Sequence, residues 1–436
     1  MAISEYPTRL IEAIPPPAVN EEVMPAYPNT YETSADQHGN TKFSEAAVWL
    51  KRLAGNKKLG RAAVATLMLT GVFEHTADIA AKDANLISQI GLYDVAAAFN
   101  AHNPFYQPPQ GEYSTIMSYR LPNDLFENQG WYASTWQSSR ALNYMCLSAL
   151  LHRRSERYTS NYSASLAANN NYYWSTSIAG HSGYLQGPAV FHVSSSYPLT
   201  DDSQWMGLNN ACGSQLTGNG EQLKRAEEVQ KLGTSQWDTK GGGEFWMVQE
   251  PSAVSHGRTA ISNLTYSALS AELYIKTRNR NDLIDSERAL KWTDSHLMGQ
   301  RSGLINDHMS LDGKINYAKF SYNQGERILA DALLSQAVPA HYSLKNDVEF
   351  AKHFIDDSGS APYFKDLAFA SITYEALCFL AGLYHHSGFT HIVRQCMAAQ
   401  LARMPKHPES LSYASGRAII ELLSKTPTKE YSKLYY

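Results

Sequence analysis

The chain has 436 residues, 43% of them hydrophobic and 18% charged, with a formal net charge of −4. That balance suits a soluble globular protein with a sizeable core, and it lacks the basic surplus that nucleic acid or an anionic membrane surface would attract. No apolar run approaches the ~18 residues a membrane span needs, so neither nucleic acid nor a bilayer is an expected partner.

Residues 1–40 are rich in Pro, Asn and Thr and read as an extended N-terminal arm; residues 41–436 read as one domain. The opening MAISEYPTRLIEAIPPPAV has neither the basic start nor the apolar block of a secretory signal. As it stands this places the protein in the cytoplasm; a secreted or cell-wall location follows if a leader has been removed. Helical periodicity then recurs, with segments expected near 43–54, 60–70, 85–100, 131–153, 203–216, 220–232, 259–277, 282–298, 320–337, 346–356, 364–386, 388–403 and 409–424. No convincing alternating strand stands out. Short polar turns, such as Lys276-Thr-Arg-Asn-Arg-Asn-Asp and His385-His-Ser-Gly, make antiparallel neighbours of the helices they join. About a dozen helices in hairpins fit a solenoid or a closed double ring. The absence of a fixed repeat period favours the ring, an (α/α)6 toroid. Its long linkers, 154–202 and 233–258, hold the distinctive residues.

Pro198-Leu-Thr-Asp201-Asp202-Ser-Gln-Trp205-Met-Gly-Leu runs directly into a helix. Alone, it suits an N-cap, where acidic residues meet free N–H groups and the positive end of the dipole. A second stretch, Trp237-Asp-Thr-Lys240-Gly-Gly-Gly-Glu-Phe-Trp246, does not: three glycines between tryptophans let the backbone approach a ligand or another segment closely. Phosphate cradling would require a preceding strand and the GxxxxGK[ST] spacing, which are missing. Thr259-Ala-Ile-Ser-Asn263 and Phe320-Ser-Tyr322-Asn323-Gln-Gly-Glu open two further helices, and Trp131-Tyr-Ala-Ser-Thr-Trp136-Gln lies upstream.

In this order the five motifs resemble glycoside hydrolase family 76, the endo-α-1,6-mannanases and their fungal cell-wall relatives, clearly over about residues 130–337. The resemblance implies an (α/α)6 toroid and a retaining α-mannoside hydrolase or transglycosidase without a cofactor, acting on an oligosaccharide. Carried over, Asp201 is the nucleophile and Asp202 the general acid/base. Trp205, Trp237 and Trp246 become sugar platforms, and Tyr322 and Asn323 bond hydroxyls. Trp136, Lys240, Arg258 and Asn263 complete the expected substrate-binding set. Adjacent aspartates suit this chemistry, because a retaining glycosidase needs two carboxyls about 5–5.5 Å apart, and mutual repulsion keeps one protonated as the acid. The sequence departs from the family in carrying Lys240 before the Gly triplet and Arg258 before Ile-Ser-Asn.

An alternative follows from those departures: an intracellular barrel turned to a small molecule such as an isoprenoid diphosphate. There Asp201 and Asp202 would hold Mg²⁺ while Lys240 and Arg258 meet phosphate. A third reading, a binding module without turnover, sits poorly with an intact aspartate pair. Among weaker signals, Asp356-Asp357 reads as a solvated turn, His385-His386 as a helix C-terminus, and Asp307-His308 as part of the ring mouth. His181, His192 and His256 lack metal-ligand spacing and are at best polar pocket groups. Cys146, Cys212, Cys378 and Cys396 read as small buried thiols.

Overall fold

A computed structural model describes residues 112–128, 131–152, 156–188, 198–248, 257–355, 369–405, 408 and 410–435. The expected arm at 1–40, its boundary with the domain, and the helices expected at 43–54, 60–70 and 85–100 lie outside these residues. So do Asp356-Asp357, His192 and His256.

Among the described residues the helices are α1 (Glu112–Ser118), α2 (Thr135–Leu151), α3 (Glu156–Tyr172), α4 (Thr200–Thr217), α5 (Gly220–Ser235), α6 (Ala260–Thr277) and α7 (Arg280–Leu297). They continue with α8 (Ser321–Ala337), α9 (Leu344–Ala351), α10 (Ala370–Tyr384), α11 (Ser387–Arg403), α12 (Leu411–Lys425) and α13 (Thr428–Tyr431). Helices α2, α4, α6, α8, α10 and α12 each pack on the next, and α12 packs back on α2, closing an inner ring. Helices α3, α5, α7, α9 and α11 each bridge two consecutive inner helices from outside, and α1 packs on α12. The protein is an (α/α)6 toroid, as expected. Because an antiparallel outer helix returns the chain between inner ones, all six inner helices point the same way and their N-termini meet at one end.

Composition separates the two rings. Outer α7 is amphipathic: Asp282, Ser286, Ala289, Leu290, Trp292, Thr293 and Leu297 are buried at helical spacing, and the opposite face is more exposed. Inner α6 is buried without interruption from Ala260 to Leu273, with Ser, Ala and Thr between its leucines. Small residues allow inner helices to approach closely; a Cβ on Gly325 of α8 would lie 2.4 Å from the Thr373 Cα of α10. Caps fix the turns. Asn219 and Asn279 accept from Glu221 N and Asn281 N at the starts of α5 and α7, and Thr259 accepts from Ser262 N at the start of α6. In the His385-His386 turn, His385 ends α10 in the left-handed region at φ 53°, and the His386 side chain accepts from Phe389 N to start α11.

Three elements differ from expectation. The stretch 154–202, read as linker, contains α3 and an antiparallel hairpin, β3 (Trp174–Ile178) with β4 (His181–Tyr184). Helix α3 is rich in Asn, Ser and Tyr, weak formers in isolation. It is held by tertiary bonds instead: Tyr162 Oη donates to the Asn209 carbonyl of α4, and Asn170 Nδ2 donates to Asn210 Oδ1 at 2.9 Å. The helix read from 131 begins at Thr135, because Trp131–Tyr132 (β2) pairs with Glu127–Asn128 (β1) and Ser134 forms a capping box with Gln137. Cys146 and Cys212, expected as thiols, form a disulfide between α2 and α4, with Cα atoms 6.6 Å apart. Residues 66 apart in sequence meet here because α2 and α4 pack against each other. Cys378 and Cys396 are buried and outside any disulfide, as read.

Candidate active site

The inner-helix N-termini gather the sequence motifs. Asp201 and Asp202 lie in the first turn of α4, and residues 244–248 run between the starts of α4 and α6. The Thr200 amide donates to the Trp246 carbonyl at 2.9 Å, Trp246 N donates to the Gly257 carbonyl at 2.9 Å, and Phe245 bridges Arg258. Asn263 reinforces this seam. Its Oδ1 accepts from Glu244 N at 2.8 Å and its Nδ2 donates to the Thr259 carbonyl at 2.7 Å, so backbone already occupies an amide expected to meet substrate.

Both aspartates are buried, at 9% and 6% exposure. Burial raises the Asp202 carboxyl to about 7, against a smaller opposing effect from the Gln186 side chain. Burial also pushes Asp201 well above the usual carboxylate range. The neighbouring Asp202 charge adds to this, while backbone amides and the indole N–H of Trp246, donating to the carboxylate, oppose it. Among the described residues Asp201 Oδ1 has no hydrogen-bond partner. Burial raises both carboxyls and the Asp202 charge raises Asp201 further, so the pair resists ionising completely, as two neighbouring carboxylates do when one serves as an acid.

An aromatic chain extends from this end across the inner ring. Trp205 meets Trp136 edge-on at 6.0 Å, Trp136 stacks on Phe369 at 4.8 Å, Phe369 meets Tyr322 at 5.1 Å, and Tyr322 stacks on Phe320 at 5.2 Å. Trp136, Phe369 and Phe320 are partly exposed, whereas Trp205 and Tyr322 are buried. Asn323, one residue after Tyr322, is fully buried, and neither Nδ2 nor Oδ1 has a hydrogen-bond partner among the described residues.

The Gly triplet has a structural partner. Gly242 and Gly243 have φ of 67° and 80°, and a Cβ on Gly243 would lie 2.5 Å from the Trp292 ring of α7, so the close approach is to that indole. Trp292 Nε1 donates to the Gly241 carbonyl at 3.0 Å. Trp237 turns toward the outer ring, where the Arg288 guanidinium lies 4.1 Å from its centroid, and Lys240 is exposed. Arg258 is buried and engaged, with Nη1 on Asp238 Oδ2 at 3.0 Å and Nη2 on the Ser310 carbonyl at 2.7 Å. The structure thus brings Asp201, Asp202 and Trp246 together, joins Trp136, Trp205 and Tyr322 in the aromatic chain with Asn323 beside it, and sets Trp237, Lys240 and Arg258 around the Gly-triplet turn. Asp307 pairs with His308 at 2.8 Å on a small sheet of β5 (Arg258–Thr259), β6 (His308–Met309) and β7 (Ile315–Asn316), ahead of α8. Among the described residues, no three His, Cys, Asp or Glu side chains converge to hold a metal, and no helix is long and apolar enough to cross a membrane.

Sequence reasoning missed Phe369, Gln186 and a buried pair, Glu244 with Gln204. Gln204 Nε2 donates to both Glu244 carboxylate oxygens, at 2.7 and 2.8 Å, and burial pushes the Glu244 carboxyl well above its usual range. The i+3 spacing of Gln204 from Asp201 was visible, but its partner 40 residues away was not.

A ring of helices with paired carboxylates and aromatics at its mouth is the architecture of a six-hairpin glycosidase. The sequence matches the profile of glycosyl hydrolase family 76 over residues 189–420, more than half of the chain, and the protein belongs to that family of glycoside hydrolases. Among solved structures it is similar to a family 76 α-mannanase from Bacteroides thetaiotaomicron, with TM-score 0.59, 18% identity, and coverage of 72% of this chain and 95% of that one. It is also similar to the α-1,6-mannanase of Salegentibacter sp. HEL1_6, with TM-score 0.58, 17% identity, and coverage of 76% and 98%. A more distant likeness, to cellobiose 2-epimerase from Spirochaeta thermophila, has TM-score 0.51 at 13% identity, covering 66% and 85%. No curated protein matches the sequence.

Proposed function

We propose that the protein is a retaining α-mannoside hydrolase or transglycosidase acting on α-1,6-linked mannooligosaccharides, with Asp201 as nucleophile and Asp202 as general acid/base. The observation that carries this reading is the pair of adjacent, buried carboxyls at the start of α4, one holding a proton near neutrality. The Salegentibacter enzyme adds support: a variant with two consecutive aspartates replaced by asparagine is described as inactive and is complexed with α-1,6-mannotriose.

In this mechanism Asp202 protonates the leaving glycosidic oxygen while Asp201 attacks the anomeric carbon. Asp202 then deprotonates the water or sugar hydroxyl that releases the glycosyl-enzyme. Trp246 holds the Asp201 carboxylate, Trp136 and Phe369 offer ring faces to sugar, and Asn323 supplies a donor and an acceptor for hydroxyls. The alternative, Mg²⁺-dependent diphosphate chemistry, needs cationic side chains for phosphate. Arg258 is already neutralised by Asp238, and no observation favours that reading.

We further propose that the reaction needs no metal and that the protein works in an oxidising compartment, outside the cytosol; the Cys146–Cys212 bridge supports the latter. The deciding experiment offers α-1,6-mannooligosaccharides with and without EDTA. Turnover that survives EDTA and gives products of retained anomeric configuration is expected. For Asp202→Asn, activated mannosides should keep fast glycosylation, and azide should rescue turnover as a mannosyl azide. Inverted products, or activity only on a diphosphate with Mg²⁺, would overturn the assignment.

A further inference from the structure

Depth in the inner ring can be read from helix register, since each residue descends about 1.5 Å. Asp201, Asp202 and Trp136 lie in the first turn of their helices. Arg140, Trp205 and Glu375 are each the sixth residue of theirs, so they form the next layer of the ring, directly beneath the mouth.

Arg140 is 1% exposed and has few partners. Its Nη2 donates to Ser371 Oγ at 3.2 Å and to Glu375 Oε2 at 3.3 Å; among the described residues Nε and Nη1 have no hydrogen-bond partner. Its guanidinium lies 5.1 Å from the Trp205 centroid and 5.8 Å from that of Trp136, within cation–π range of both. Glu375 Oε2 also accepts from Asn143 Nδ2 at 2.6 Å. Its other oxygen, Oε1, is taken by the Tyr435 hydroxyl.

Tyr435 reaches this layer from the opposite end. The segment after α12 passes against the last turn of α10, where a Cβ on Gly382 would lie 2.5 Å from Ser432 N. Tyr431 Oη donates to the Leu423 carbonyl at 2.7 Å, and Tyr435 packs edge-on against Phe379 at 4.9 Å. Trp205 and Tyr435 line the same central cavity of about 20 Å³, on the scale of a single water molecule. The segment therefore fills the ring almost up to the indole.

We propose that Arg140 is a positioning residue for the aromatic floor of the glycan site, and that Tyr435 sets it through Glu375. Removing the Tyr435 hydroxyl leaves a buried Glu375 oxygen without its donor, and only the Asn143 and Arg140 bonds to Oε2 then hold the carboxylate in place. Arg140 then loses its fixed anchor, and Trp136, the exposed ring of the pair, loses its fixed orientation. The proposal rests on the glycosidase reading for its kinetic consequence but not for its geometry.

The test uses the full chain with Tyr435→Phe, which keeps the Phe379 contact, and Arg140→Lys as a second, charge-conserving variant. For Tyr435→Phe, KM for α-1,6-mannotetraose should rise about fivefold with kcat within about twofold, and the near-ultraviolet circular dichroism of tryptophan should change while the far-ultraviolet spectrum does not. The tryptophan change should disappear in a Trp136→Phe background. Arg140→Lys should show the same spectral change, and Tyr435→Phe should add nothing further to it. A wild-type KM together with an unchanged tryptophan spectrum in Tyr435→Phe would overturn the proposal. So would equal losses of kcat and thermal stability without any KM or spectral effect. If the wild-type protein does not act on mannooligosaccharides, the glycosidase reading fails, and the spectral comparison alone still decides whether Tyr435 sets Arg140.

Discussion

The Thr200 hydroxyl donates to the Phe245 carbonyl at 2.6 Å, tying the residue before Asp201 to the residue before Trp246. This bond lets a segment 45 residues downstream deliver an indole N–H to the Asp201 carboxylate. Because that bond lowers the Asp201 pKa against the effects of burial and Asp202, Trp246→Phe should raise it. The acidic limb of kcat/KM against pH should then move to higher pH, with activity at the optimum reduced less than at pH 5. An unmoved acidic limb would show that the indole does not touch the nucleophile.

Asp202 should control the alkaline limb. With its carboxyl raised to about 7, activity should fall as pH passes that value and the acid is lost. Asp202→Asn should abolish this limb and slow turnover of natural linkages by roughly 10²–10⁴-fold.

The same shift predicts a stability trade-off. An aspartate whose folded pKa lies above its unfolded value gives a contribution fully present below the unfolded pKa and lost as pH rises through the folded one. Between about pH 4 and 7 the folded protein holds a proton that the unfolded chain has released. Asp202→Asn should therefore stabilise the protein by an amount that grows across this window and levels off above it, at most about 4 kcal/mol. Urea midpoints at pH 5 and pH 8 measure the difference; a gain larger at pH 5 would contradict the assignment.

Gly243→Ala should be destabilising by more than about 2 kcal/mol, because the residue combines a φ of 80° with a Trp292 ring atom 2.5 Å from the added Cβ. As the glycine contacts α7 and not the aspartates, residual kcat per folded molecule should change little. Thermal unfolding and active-site titration separate the two effects.

The Cys146–Cys212 bridge closes a long loop across two inner helices, and loop entropy predicts a contribution of about 4 kcal/mol. Cys146→Ala with Cys212→Ala should lower the unfolding midpoint by a matching amount, and dithiothreitol should do the same to the wild-type protein. If reductant has no effect on the midpoint, the two thiols are unpaired in solution.

The sequence by itself determined most of the helical hairpins and the Asp-Asp motif, because these depend on local signals: apolar spacing, Asn and Thr caps, short polar turns, and an Asp-Asp pair placed at a helix start. Other features were decided only by tertiary structure. Helix α3 has a composition too polar to announce itself and exists because Tyr162 and Asn170 bond to α4. The Gly triplet allowed close approach to a ligand or to another segment, and tertiary structure sets it against Trp292, while Arg258 is held by Asp238 and the Ser310 carbonyl, 52 residues on in sequence. Phe369, Glu375 and Tyr435 belong to no motif; Phe369 and Glu375 meet Trp136 and Arg140 across more than 200 residues of chain because the ring closes on itself, and Tyr435 joins them through Glu375. Helix periodicity reports which face of a helix is buried. Which distant side chain it is buried against is fixed only when all six inner helices have come together.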